Sequence, residues 1–175
     1  MRRALPDDVQ LRVGRAEELD RLNEIDRAGA LLLAEHGFPS LATNLPTLDD
    51  TKRLVTDRAV WVAADGNDRA VGFAVASDPG PCFYLHELCV DPARGREGIG
   101  TALLDAVIAH ARWAFHSAIA LDTFRTVPFN APFYSRHGFM AMEPGAVHPD
   151  IADLVRSARP AGIHPASRVV MVKRL

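Results

Sequence analysis

One segment constrains this chain more than any other: Leu85-His86-Glu87-Leu88-Cys89-Val90-Asp91-Pro92-Ala93-Arg94-Gly95-Arg96-Glu97-Gly98-Ile99-Gly100-Thr101-Ala102-Leu103-Leu104. A strand-like run ends at Asp91-Pro92 and a glycine-rich turn follows. An amphipathic helix then starts near Gly98, with Leu103, Leu104, Val107, Ile108 and Ala111 on one stripe. Such a turn presents unpaired backbone N–H groups at the positive end of a helix dipole. Glycines let a phosphate approach the backbone closely, and Arg94 and Arg96 add charge that suits a pyrophosphate. Two familiar nucleotide loops fail on residues. A Walker A loop needs a Lys that is absent, and Leu103 occupies the third glycine position of a Rossmann fingerprint. With no ligand in view, the same residues describe a tight entry into a helix flanked by surface arginines.

The surroundings of this segment alternate strands and helices. Val9 to Val13 has the period of a short strand, and from Ala16 the spacing of Leu19, Leu22 and Ile25 becomes helical, fading before Gly37 and Pro39. Residues 35–47 read as a loop, and Thr47-Leu48-Asp49-Asp50 as a capping box for a short second helix. Ala59 to Ala64 and Val71 to Ala76 form a hairpin about Asp65-Gly66-Asn67-Asp68. Cys82 to Val90 is a third strand, and Ala118 to Leu121 a short buried one. Asn130 is placed to N-cap a short helix that Gly138 ends in the left-handed conformation. Residues 148–159 suit a further helix and Arg168 to Lys173 a last strand. The order predicts an α/β (α+β) fold in a single domain spanning 1–175, with a mixed, mostly antiparallel sheet flanked by helices.

Composition narrows the function classes. Twenty Lys and Arg against 22 Asp and Glu leave a net charge of −2, a poor balance for sequence-independent nucleic-acid binding. The longest apolar run, Ala28 to Ala34, is too short to span a bilayer, so no membrane partner is expected. Arg2 and Arg3 precede Pro6, Asp7 and Asp8 rather than an apolar stretch, which argues against a signal peptide. Cys82 and Cys89 lie in one strand and cannot pair with each other, so reduced thiols and a cytoplasmic setting are expected. The seven histidines form no HxxxH pair, and His110 and His116 read as surface positions on a helix, so no metal site is expected.

The combination Val90-Asp91-Pro92-x5-Gly98-Ile99-Gly100-x2-Leu103-Leu104 resembles the acetyl-CoA-binding motif of the GNAT superfamily of N-acetyltransferases. Gly98 and Gly100 match the small positions of that motif, while Gly95 stands where the family has Gln or Arg. Asn130-Ala131-Pro132-Phe133-Tyr134-Ser135-Arg136-His137-Gly138-Phe139 is similar to the family's later CoA-side helix. The resemblance implies a sheet splayed at the cofactor strand and acetyl-CoA as co-substrate. It places the CoA contacts on Leu88, Cys89, Val90, Arg94, Gly95, Arg96, Glu97, Gly98, Ile99, Gly100, Thr101, Asn130 and Tyr134. Related enzymes carry an Asn seven residues before the Tyr. Here that position is Val127, and Asn130 either does the same work from a shifted helix start or only caps the helix.

The implied reaction moves an acetyl group from the thioester to a primary amine by direct attack in a ternary complex. The amine must lose a proton, the carbonyl oxygen needs a donor, and the departing thiolate benefits from a proton. By resemblance Tyr134 is the general acid, the Leu88 N–H polarises the carbonyl, and Val90 holds the pantetheine arm. The same resemblance makes His86 the first candidate for the base, on a face shared with Tyr84, Leu88 and Val90 if the strand is regular; Glu87 is the second, because a bulge would reverse the faces; the alternative is that both only satisfy local hydrogen bonds and a water chain removes the proton. The acceptor, a small molecule or a peptide amine, would be shaped by residues 28–47 and 144–167, with His36, Phe38, His148 and His164 as lining candidates. The resemblance also allows a homodimer. The alternative is a non-catalytic acyl-CoA-binding sensor module.

Overall fold

Wherever apolar period two gives way to a helical stripe, the chain changes element. The computed structural model describes residues 4–175; Arg2 and Arg3 lie outside the described residues. The elements are β1 Gln10–Val13, α1 Leu19–Glu35, α2 Ser40–Thr43, α3 Leu48–Val55, β2 Ala59–Ala64, β3 Ala70–Ser77, β4 Phe83–Val90, α4 Ile99–Trp113, β5 Ala118–Phe124, α5 Ala131–Arg136, β6 Met140–Ala141, α6 Pro149–Ala158 and β7 Arg168–Arg174. One seven-stranded sheet runs in the order β1-β2-β3-β4-β5-β7-β6. Every neighbouring pair is antiparallel except β4 and β5, which are parallel. The mixed, mostly antiparallel sheet expected from the sequence is the sheet that forms.

Three local expectations are corrected. The loop over 35–47 contains α2, one helical turn held by burial of Leu41 against Phe124, Val127 and Ile163; four residues are too few to show a period. The strand beginning at Ala118 runs past Leu121 through the polar Asp122 and Thr123 to Phe124, because β7 pairs with it along its whole length. His116 lies beyond the end of α4, and both His110 and His116 pack on the Phe83 ring at 5.6 and 5.1 Å rather than standing on the surface.

The two faces of the sheet have separate cores. On one, Ile99, Leu103, Leu104, Val107 and Ile108 of α4 cover Ala74, Ala76, Phe83 and Leu85. On the other, Leu22 and Ile25 of α1 cover Val62, Phe73 and Val75, with Cys89 at the edge. Further along that second face, Ile151 and Val155 of α6 cover Tyr84 and Ala120. The capping box forms as read: the Thr47 side chain accepts from the Asp50 N–H, and Asp50 accepts from the Thr47 N–H.

Polar contacts fix how α1 sits on β4. Arg21 donates to the Ala70 carbonyl at 2.9 Å and to Asp91 at 2.6 Å, tying the helix to the end of β4. Further along the helix, the Cys89 thiol donates to the Ile25 carbonyl at 3.4 Å. Gly29 lets the helix come this close, since a Cβ there would stand 2.6 Å from Cys89 Sγ. Gly29→Val is therefore expected to overpack the contact and cost about 1–3 kcal/mol in a urea titration, with part of the loss recovered when Cys89→Ala is added.

Candidate active site

β4 and β5 pair only over Phe83–Ile119, Tyr84–Ala120 and Leu85–Leu121. Beyond these the strands part, leaving one edge of His86 to Val90 without a strand partner among the described residues. The Asp91 N–H donates to Val71 on β3 at 2.9 Å. By alternation, the N–H groups of Leu88 and Val90 point the other way, into the notch. The Leu88 N–H is met there by Glu87 Oε1 at 3.1 Å.

β4 is not regular. Glu87 stands opposite Val75 but Leu85 opposite Ala76, so His86 is an extra residue on β4. The shared face of Tyr84, His86, Leu88 and Val90 expected for a regular strand is therefore broken. Leu88 and Val90 join Leu85 toward α4, and Glu87 and Cys89 join Tyr84 toward α1. The bulged His86 turns its Nε2 to Ser77 Oγ at 2.6 Å and its ring edge to Tyr84. Burial, helped by the Arg58 charge, lowers its pKa to about 4, so the ring is neutral and resists taking up a proton. Glu87 moves the other way: burial raises its carboxyl, against the Leu88 N–H and the Arg168 charge.

The floor of the notch is the start of α4. Gly98 takes φ +92° as its N-cap, and the Ala102 N–H makes the first helical bond, to Gly98 at 3.0 Å. The N–H groups of Ile99, Gly100 and Thr101 thus have no helical carbonyl to meet. Arg96 precedes them with φ +64°, and Gly95 is pinned by its N–H to Pro92 at 3.1 Å. Arg94, expected to face a pyrophosphate, is engaged with Glu97 at 2.7 Å and Asp8 at 3.1 Å, so in this structure it braces the loop. A Cβ on Gly100 would make only ordinary contacts, 3.7 Å to Leu88 and Val90 and 3.9 Å to Phe133. The loop therefore opens on the seam between β4 and α5.

α5 closes the other side. Tyr134 is buried, 7% exposed, between Phe133 and Phe139. Burial and the facing Glu87 charge raise its phenol and keep it protonated. Asn130 does not cap α5 with its side chain. Its Nδ2 donates to Thr123 Oγ1 at 2.8 Å, and its Oδ1 is buried with no hydrogen-bond partner among the described residues. Val127, at the position of the family's Asn, is core, packed with Leu41, Phe124 and Ile163.

The two segments expected to shape the acceptor side do meet. A Cβ on Gly162 would lie 3.0 Å from Ser40 Cβ, and Phe38 stacks on Phe124 at 4.2 Å. His36 packs on Phe129 at 5.0 Å. His148 and His164 instead accept backbone N–H bonds at helix starts. On β5, Asp122 is bound by Arg168 at 2.6 Å, and its Oδ1 is buried with no hydrogen-bond partner among the described residues. One residue escaped the sequence reading: Asp26 of α1, whose carboxyl faces Glu87 and is pushed up to about 8 by burial, then by Glu87 and Asp50. The signal was there, since Leu22, Ile25, Asp26 and Gly29 form an i, i+3, i+4, i+7 stripe with an acid in it.

Residues 56–141 match the family model of the acetyltransferase (GNAT) domain. The chain carries a GNAT acetyltransferase domain. Both motifs of this GNAT domain, the glycine turn and α5, lie inside the matched residues, and α1 lies outside them. Solved structures share its fold. A GCN5-related N-acetyltransferase from Rhodopseudomonas palustris superposes with a TM-score of 0.75 at 19% identity, over 100% of this chain and 99% of that one. The PaiA N-acetyltransferase from Thermoplasma acidophilum, in complex with coenzyme A, gives 0.73 at 15% identity, over 95% and 99%. N-acetylglutamate synthase from Neisseria gonorrhoeae, complexed with coenzyme A and N-acetyl-glutamate, gives 0.70 at 18% identity, over 98% of this chain and 36% of that one. No helix among the described residues is long and apolar enough to cross a membrane.

The positive φ at Gly98 gives a direct test of the turn. Gly98→Ala is expected to lose roughly 1–2 kcal/mol of stability through left-handed strain, whereas Gly100→Ala, with room for its Cβ, loses none; urea titrations of the two variants decide this.

Proposed function

We propose that this GNAT domain transfers an acetyl group from acetyl-CoA to a primary amine by direct attack within a ternary complex. The observation that carries the reading is the parting of β4 and β5, which turns the N–H groups of Leu88 and Val90 into a notch floored by the α4 N-terminus. The residues fit the co-substrate. Ile99, Gly100 and Thr101 offer backbone donors to a pyrophosphate, and Gly98 gives the backbone its approach. Asn130 Oδ1, a buried acceptor with no partner among the described residues, suits a pantetheine amide N–H. Acetyl-CoA supplies an acyl group activated as a thioester.

The chain's own groups then divide the work. The Leu88 N–H polarises the thioester carbonyl, a role for which it must leave Glu87 Oε1. Glu87, whose Oε1 lies on the Leu88 N–H at the notch, takes the proton of the acceptor ammonium. His86 is the weaker candidate for that step, since its Nε2 is held by Ser77 and its burial opposes a positive charge. Tyr134 keeps its proton and donates it, as a hydrogen bond or fully, to the departing thiolate. Holding the thioester and the amine together provides much of the acceleration.

Two measurements test this. Acetyl-CoA is expected to raise the melting temperature where NAD and ATP do not, and an amine panel is expected to release free thiol from acetyl-CoA. Stabilisation by NAD or ATP in place of acetyl-CoA overturns the reading. Tyr134→Phe is expected to lower kcat about 10²-fold with acetyl-CoA affinity by calorimetry unchanged; an unchanged kcat where chemistry limits the rate removes the acid role.

A further inference from the structure

The acid on the buried stripe of α1 has no part in the proton transfers assigned to Glu87 and Tyr134, and its position is specific. Ile25 and Gly29 seat the helix on Cys89, one through the thiol bond to its carbonyl and the other through a contact only glycine permits. Asp26 follows Ile25 on that stripe, and Glu87 precedes Cys89 by two residues on the face that looks at α1. The helix–strand contact therefore brings the two carboxyls near enough for the Glu87 charge to act on Asp26. We propose that Asp26 is a positioning residue for proton transfer: it pairs its carboxyl with that of Glu87, so that the pair, rather than Glu87 alone, draws the proton from a cationic acceptor. This rests on the acetyl-transfer reading of the same notch.

The step balances simply. The doubly ionised pair takes one proton from R–NH3+, leaving R–NH2 with the lone pair that attacks the thioester carbonyl, and the pair is left with one proton and one negative charge. Two adjacent carboxylates hold that proton more strongly than one does, which brings a carboxylate base toward the pH at which an amine must be deprotonated. The charged and titratable groups facing the pair come from every element around it. Asp50 of α3 faces Asp26, and Cys89 and Tyr84 flank Glu87 on β4. Tyr134 of α5 and Arg168 of β7 face Glu87 across the notch. Burial and Glu87, with Asp50, all push Asp26 in one direction, to about 8. A lone Glu87 would have only its own burial to raise it, against the Leu88 N–H and Arg168.

The test compares wild type, Asp26→Asn and Asp26→Glu with acetyl-CoA and a panel of spermidine, butylamine and an alanyl peptide, following kcat against pH at saturating amine. In the wild type kcat rises with pH through a limb near 8. In Asp26→Asn that limb moves down by a unit or more and the plateau falls at least fivefold, and Asp26→Glu restores part of both. A second readout needs no acceptor. An acid ionised in the unfolded chain near pH 4 but held protonated in the folded one to about 8 makes stability fall as pH rises between those values. The unfolding constant then rises by up to tenfold per pH unit from this group, and that slope is lost in Asp26→Asn. An Asp26→Asn profile identical to wild type, or an unchanged stability slope, overturns the pair. Absence of thiol release by wild type with every amine removes the acetyl-transfer reading itself, so the two failures are distinguishable.

Discussion

The parting of two parallel strands after three residue pairs is the constraint on which the rest of this structure depends. A parallel pair normally continues until a turn or an edge stops it. Here each strand keeps the partner on its other edge, β5 with β7 along its whole length and β4 with β3, while the edges that face each other part. Backbone donors on β4 are left facing a gap in the middle of the sheet. Buried backbone groups require partners, so a gap of this kind suits a molecule that supplies amide groups in an extended form. The α4 N-terminus at one end of the gap and α5 at its side turn it into a directed cleft.

The bulge at His86 decides which chemistry enters that cleft. With a regular β4, His86 would share a face with Leu88 and Val90, and Glu87 would lie on the reverse. One extra residue puts Glu87 on the face of Tyr84, toward α1 and still opposite to Leu88 and Val90, while His86 is drawn to Ser77. The electrostatics follow from burial. A carboxyl and a phenol in this setting rise, and an imidazole falls. The site thus contains a carboxyl able to accept a proton, a phenol that keeps its own, and a histidine that stays neutral.

Much of this was legible in the sequence because it rests on local periodicity and turn chemistry. The strand, glycine turn and helix over residues 85–104 formed as read, as did the hairpin at 65–68, the Thr47 box and the left-handed Gly138. What was not legible depends on contacts between distant segments. The bulge is set by the pairing of β4 with β3. The role of Asn130 depends on Thr123 across the turn, and the turn at Leu41 exists because Phe124 and Ile163 bury it. Arg94 could not be seen to brace the loop until Asp8 came beside it. Asp26 stood within a readable stripe, but its meaning required Glu87 on the facing strand.

The central claim is that the notch between β4 and β5 is where acetyl-CoA lies. It is tested most directly by amide nuclear magnetic resonance of the 15N-labelled protein titrated with acetyl-CoA. The account predicts that the largest shifts fall on the N–H groups of Leu88, Val90, Ile99, Gly100 and Thr101, with the Asn130 side-chain amide moving too. Shifts confined to other surfaces, or none at saturating acetyl-CoA, would contradict it.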